Sequence, residues 1–192
     1  ASKAGLHVGT AQLGGDPKEW LFNYPGILRQ LPKLQATAEG VGLINSSPEV
    51  DGVVRRLPVV VSSQDGLYPS FALEMLRVGV GDPSYQIKTS EGVEWVRIPN
   101  YPLIHTDANA RVWIQQNVKF YRQTAAEYME NPIPAPFVIF GVTAEGVTNP
   151  VPTAQGAVYP HEIQANVLHS LIEGNSPSIP TWSVAVELGA AL

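Results

Sequence analysis

Four polar residues stand close together in the first third of the chain: Asn45, Asp51, Arg55 and Arg56. An Asn or Asp at a turn can accept backbone N–H groups, and an Arg can close a bidentate fork on a carboxylate or another oxyanion. The intervening Ser47-Pro48-Glu49-Val50-Asp51-Gly52 is such a turn, with Pro presetting φ and the Asp-Gly pair supplying a left-handed position. Two chemistries follow. In one, Asp51 and an arginine lock the turn and do nothing else; in the other, an arginine points into a pocket and recognises an anion. Lys cannot reproduce the fork, so Arg55→Lys separates the two.

Other reactive patterns fail on spacing. His161-Glu162 opens a helix, but the helical zinc motif needs a second His one turn later, where Ala165 stands. His169 is roughly 12 Å further along the axis, too far to share an ion, so no metal site is expected. His7 and His105 are isolated. Gly141-Val142-Thr143-Ala144-Glu145-Gly146 lacks the Lys-Ser/Thr of a phosphate loop and places Glu145 where phosphate would lie. No Gly-x-Ser-x-Gly elbow occurs, and Ser70 after Pro69 reads as a helix start. The pairs Glu49/Asp51 and Glu127/Glu130 read as solvated turn and helix-face carboxylates. The expectation is no catalytic group and no cofactor.

Composition narrows the classes. The 192 residues are 44% apolar and 15% charged, enough to bury a core. The formal net charge is -5 and the basic residues are scattered, without the stripe that nucleic-acid binding requires. With no Cys, disulfides, thiolate metal sites and cysteine nucleophiles are excluded. The longest apolar runs, Leu57 to Val61 and Phe137 to Val142, are too short to span a bilayer. Ala1 to Gly5 have neither the charges nor the apolar stretch of a signal peptide, so the chain reads as a fragment of something longer.

The elements that must position these residues follow from period and punctuation. A short strand is expected over Leu6 to Ala11, then a helix from Pro32 to Glu39 closed by Gly40. Val41 to Asn45 reads as a buried strand joined through the Asp51-Gly52 turn to a second strand, Val53 to Ser62, as a hairpin-like unit. Leu73, Leu76 and Val80 mark a helix after Ser70. Gln86 to Thr89, Val93 to Ile98 and Arg111 to Ile114 read as antiparallel strands, followed by a short helix from Thr124 to Met129. Phe137 to Val142, apolar without alternation, reads as a central strand covered on both faces. Ile163, Val167, Leu168, Leu171 and Ile172 form the stripe of the clearest helix, which Pro160 opens and Gly174 closes. The predicted class is α/β, a mixed and partly antiparallel sheet flanked by helices.

The stretch Gly42-Leu43-Ile44-Asn45-Ser46-Ser47-Pro48-Glu49-Val50-Asp51-Gly52-Val53-Val54-Arg55-Arg56-Leu57-Pro58 resembles the signature of the type-two CHASE domain, the cyclase/histidine-kinase-associated sensory extracellular module. Ala110 to Ile114, Tyr121 to Met129 and Phe137 to Ala144 resemble that family's middle strands, helix and following strand, and Glu162 to Gly174 its closing helix. Order and spacing agree from about Gly40 to Trp182. Two positions depart from the pattern, Gln164 where the family helix usually has His and Asn149 where an Asp is usual, so a site built there is neutral in this chain.

The resemblance implies a single sensor domain over residues 1–182, with an amino-terminal part of the family domain lying before Ala1. Residues 183–192 would begin a membrane-proximal helix, with Trp182 at the interface. It further implies an extracytoplasmic, non-catalytic input domain of a membrane-anchored bacterial receptor of cyclase, histidine kinase or phosphodiesterase type, acting as a homodimer. The expected partner is a small-molecule ligand, anionic in character, and no nucleic acid. Arg55 and Arg56 with Asn45 and Asp51, and the strand-edge group Thr143, Asn149, Glu162 and Asn166, are the candidates for ligand contact or structural support. The rival readings are a structural or protein–protein interaction module, which a broad exposed apolar face would favour, and a hydrolase or transferase, which an aligned base, nucleophile and oxyanion donor would favour.

Overall fold

The computed structural model describes residues 8–45, 48–64, 66–115, 118–174 and 189. Its elements run β1 (Gly9–Gly14), β2 (Asn23–Tyr24), α1 (Pro32–Gln35), β3 (Arg56–Pro58), β4 (Val60–Ser63), β5 (Gly66–Pro69), α2 (Phe71–Val80), β6 (Ser84–Ser90), β7 (Gly92–Arg97), β8 (Ile104–His105), β9 (Arg111–Trp113), α3 (Ala125–Glu130), β10 (Val151–Thr153), β11 (Gly156–Val158) and α4 (Pro160–Glu173), with a single 3-10 turn at Pro17–Glu19. The strands form a sheet ordered β1-β6-β7-β8, a second ordered β2-β4-β5, and the pairs β3-β9 and β10-β11. β1 on β6 and β2 on β4 are parallel, and the other ladders are antiparallel. This is the expected mixed α/β class.

The two long helices form where local chemistry and period agree. Ser70 caps α2 by accepting the Leu73 N–H at 3.2 Å, and Gly81 at φ 79° ends it. α4 starts at Pro160 and stops at Gly174, φ 65°. Ile163, Val167, Leu168 and Leu171 of α4 and Ala72, Leu73 and Leu76 of α2 are buried in one core with Leu57, Val60, Ile87, Val96 and Val112 of the strands. A smaller cluster gathers Val41, Val61 and Tyr68. Among the described residues no helix is long and apolar enough to cross a membrane.

Several expected elements are corrected. Val41 to Asn45 is not a strand: only Leu43 bridges, to Ser70, donating to Pro69 O at 2.9 Å and accepting from Phe71 N at 2.8 Å. It therefore does not pair with the segment after the turn, and the hairpin-like unit does not form. Gly42 lies so close to this junction that an added Cβ would overlap the Phe71 backbone. The second strand breaks at Val59, whose N–H turns to Ala110 O at 2.8 Å while its C=O accepts from Ser70 N at 2.8 Å. The first helix ends at Gln35, before Glu39; beyond it the Thr37 N–H and hydroxyl both turn to the Leu34 carbonyl, at 3.2 and 3.1 Å. β1 begins at Gly9, later than expected, and Leu6 and His7 lie outside the described residues.

The largest correction concerns Phe137 to Val142, which joins no ladder. Phe137 and Ile139 are half-buried, while Val138 is 37%, Val142 53% and Phe140 66% exposed. Pro132, Pro134 and Pro136 remove amide donors at its entrance. The segment is held by side chains instead. Gly79 of α2 makes room for the Phe137 ring, which a Cβ there would approach to 2.6 Å, and Tyr128 meets Phe140 edge-on at 5.5 Å. It is an extended strap laid over helices.

Candidate functional site

The turn after Pro48 is built by its own backbone. Glu49 N–H donates to Val53 O at 3.0 Å, Gly52 N–H donates to Glu49 O at 2.9 Å, and Gly52 takes φ 79°. Asp51 accepts the Val53 N–H at 3.1 Å and both Arg55 Nη1 and Nη2, at 3.0 and 2.7 Å. The Arg55 fork is thus closed on Asp51, and that hydrogen bonding, helped by the Val53 amide, holds the Asp51 carboxyl down at about 2.

Arg56 faces the other way. Its Nε and Nη2 each donate to Glu49 at 2.8 Å, its Nη1 donates to Asp107 at 3.0 Å, and its guanidinium lies 5.2 Å from the Trp113 ring. The register explains the meeting: Arg56 is opposite Trp113 and Pro58 opposite Arg111, so these side chains share one face while Leu57 and Val112 point into the core. Arg111 Nε donates to Asp107 at 2.8 Å, its Nη1 is 3.8 Å from Glu49, and it stacks on Phe22 at 5.7 Å. Asp107 also accepts the N–H groups of Asn109 and Arg111, at 3.0 and 2.9 Å. Arg56, through its hydrogen bonds, keeps the Glu49 carboxyl below the usual range. Asn45 is elsewhere, hydrogen-bonded to the Tyr24 hydroxyl, whose pKa burial raises more than this bond lowers it.

The second group is split by the strap. Thr143 and Glu162 are brought together through Tyr159: its hydroxyl donates to Thr143 O at 3.2 Å and its N–H to Glu162 Oε2 at 3.3 Å. Glu162 Oε1 pairs with the largely exposed Arg122 at 2.8 Å. His161 stacks on Tyr159 at 5.9 Å and sits directly against Gly141, where a Cβ would strike its ring. Asn149 is exposed in the loop before β10, and Asn166 is half-buried one turn along α4, its C=O accepting Ser170 Oγ at 2.9 Å. Gln164 is buried and accepts the Ala72 N–H of α2 at 3.2 Å, a helix-start amide with no intrahelical partner.

A hydrogen-bonded path joins the two groups. Val54 N–H donates to Pro152 O at 2.9 Å, tying the end of the turn to β10, and β11 runs straight into Tyr159 and α4. Ile114 N–H donates to Arg55 O at 2.9 Å. The sequence alone does not reveal Asp107 and Trp113 as partners of Arg56, nor Arg111, which shares Asp107 with it. Their signal was the alternation Ala110-Arg111-Val112-Trp113-Ile114, which puts Arg111 and Trp113 on the face opposite the apolar residues. A cleft of about 220 Å³ lies between Tyr101–His105 and the end of α4; of the candidate residues it approaches Asn166, through the lining residue Ser170.

A family model for the CHASE2 domain matches residues 11–192. The chain belongs to the CHASE2 family. As a CHASE2 domain it is a sensory, extracytoplasmic input module and not itself a catalytic one. The two groups of polar residues are therefore to be weighed as parts of a CHASE2 sensor. No curated protein and no solved structure matches the chain. Trp182 and the segment after it, expected to approach the membrane, lie outside the described residues apart from Gly189.

Proposed function

We propose that this CHASE2 domain is the ligand-sensing input of a transmembrane bacterial receptor of the cyclase, histidine kinase or phosphodiesterase type, and that its ligand is a small anion. In this reading residues 1–182 form the sensor, the receptor works as a homodimer, Arg55 and Arg56 with Asp51 shape the recognition side, and Asn45 acts apart from them as a support for Tyr24. Thr143, Asn149, Glu162 and Asn166 lie on the transmission side. The observation that carries it is the pair Arg56 and Arg111, two guanidiniums on one face of the β3–β9 pair, each against an aromatic ring, while the backbone just before β3 is tied by the Val54 N–H to Pro152 O of β10, in the segment that leads through β11 to α4. A ligand that binds one arrangement of this path better than another shifts their populations in proportion to its differential affinity.

Thermal unfolding of the domain with phosphate, sulfate, malonate and citrate tests the reading. An anion at about 100 times its Kd adds about 2.7 kcal/mol, a rise on the order of 5–10 °C for a chain this size. No rise across the series overturns it. A second reading, a protein–protein interaction module, draws on the exposed Val138, Phe140 and Val142. It is favoured if the anions fail while the domain self-associates or captures a defined partner through that strap.

A further inference from the structure

We infer that Glu49 is a built-in competitor, its carboxylate occupying the place at Arg56 and Arg111 where the carboxylate or phosphate group of a ligand is gripped. The inference rests on the anion-sensing reading above and adds which groups bind and what holds the site closed.

The members of the cluster are anchored unequally. Arg56 and Arg111 rise from paired strands over the core and lie against Trp113 and Phe22. Asp107 is fixed by the Asn109 and Arg111 amides as well as by both guanidiniums. Glu49 stands on a turn closed by two backbone hydrogen bonds, next to Pro48, Val50, Asp51 and Gly52, all exposed. What holds its carboxylate is the pair of hydrogen bonds donated by Arg56, with Arg111 at 3.8 Å. Two parallel N–H donors on one carboxylate is also how arginine binds a ligand oxyanion.

Charge points the same way. Arg56 and Arg111 against Asp107 leave one positive charge, and Glu49 cancels it. With the turn lifted away, the site is a cation flanked by two aromatic rings, suited to a small molecule with one carboxylate or phosphate and an apolar body. These four side chains keep 14% to 26% of their surface exposed, so an anion from solution reaches them without opening the core. Displacing Glu49 moves the turn that ends at Val53, next to the Val54 bond to β10. Exchange of one carboxylate for another is thereby coupled to the path towards α4.

Chemical rescue tests this. Glu49→Ala is expected to lower the unfolding midpoint and to bind propionate and phosphate at least tenfold more tightly than the wild-type domain, with added propionate restoring the midpoint. Adding Arg56→Lys to Glu49→Ala is expected to abolish the rescue. If Glu49→Ala does not fold, Glu49→Gln, which keeps the shape and removes the charge, takes its place with the same tenfold criterion. Wild-type and variant domains binding the anions equally would overturn the competitor role while leaving the anion-sensing reading intact. Binding by both domains, at least tenfold tighter in the variant, supports the competitor, whereas binding by the variant alone marks Glu49 as a structural partner of Arg56 and overturns it, and no binding by either removes both readings.

Discussion

Arg56 and Glu49 face each other across the turn with two hydrogen bonds of 2.8 Å, one to each carboxylate oxygen. Neighbouring Arg55 makes an equivalent fork with Asp51, yet the two pairs differ in surroundings. The Arg56 pair is about four-fifths covered and joined to Asp107, whereas the Arg55 pair is more open, with 33% of the Arg55 side chain and 51% of the Asp51 side chain exposed.

Covered and exposed forks should respond differently to loss of shape at constant charge. Arg56→Lys removes the planar match to Glu49 and the contact with Trp113, and is expected to cost about 1–2 kcal/mol. Arg55→Lys is expected to move the urea midpoint much less, because solvent replaces what it loses. Equal losses in denaturant titrations would contradict the difference in coverage.

Acid should weaken the turn in a defined direction. Asp51 and Glu49 both titrate lower in the folded chain than in the unfolded one. The stability they add is complete above the ordinary carboxylate range and is lost as pH falls towards about 2. Midpoints measured from about pH 5 to about pH 2.5 are expected to fall in the wild type and to fall less steeply in the Asp51→Asn, Glu49→Gln double variant. Parallel curves would show that neither group is responsible.

Two glycines separate backbone contact from side-chain contact. In Gly42→Ala the new methyl meets the Phe71 backbone, which cannot step aside, and a loss of about 2 kcal/mol or more is expected. In Gly141→Ala it meets the His161 ring, so the penalty should largely vanish when His161→Ala is added. A double-mutant cycle on unfolding free energies measures this, and additivity would refute the contact.

Gln164 links the long helices. Gln164→Leu leaves the buried Ala72 N–H without its acceptor and is expected to cost about 1–3 kcal/mol by chemical denaturation. A neutral result would mean that water reaches the α2 amide.

Much of the fold was legible where local and long-range preferences agree. Ser70 and Gly81 bracket α2, Pro160 and Gly174 bracket α4, and the alternation through Gln86 to Ile98 fixes β6 and β7. Phe137 to Val142 was misread because an apolar run looks the same whether it enters a ladder or lies across helices; what decided was Gly79 beneath Phe137 and the prolines before it. The Arg55 and Asp51 fork spans four residues, within reach of local reasoning. Arg56 and Asp107 are 51 residues apart, and their meeting depends on the β3 and β9 register, which no local spacing encodes. In sequence Glu49 looks like any solvated turn carboxylate, because it is the fold that brings Arg56 and Arg111 to it.

Val59 joins what the topology otherwise separates. Its N–H holds the strand region below the arginines through Ala110, and its C=O holds Ser70, the residue that caps α2. Being wholly buried, it has no solvent to fall back on. A pull on Arg56 three positions upstream is therefore passed on through one residue to the helix start, and hydrogen exchange at two amides, Val59 N–H for the Ala110 end and Ser70 N–H for the helix end, is expected to change together.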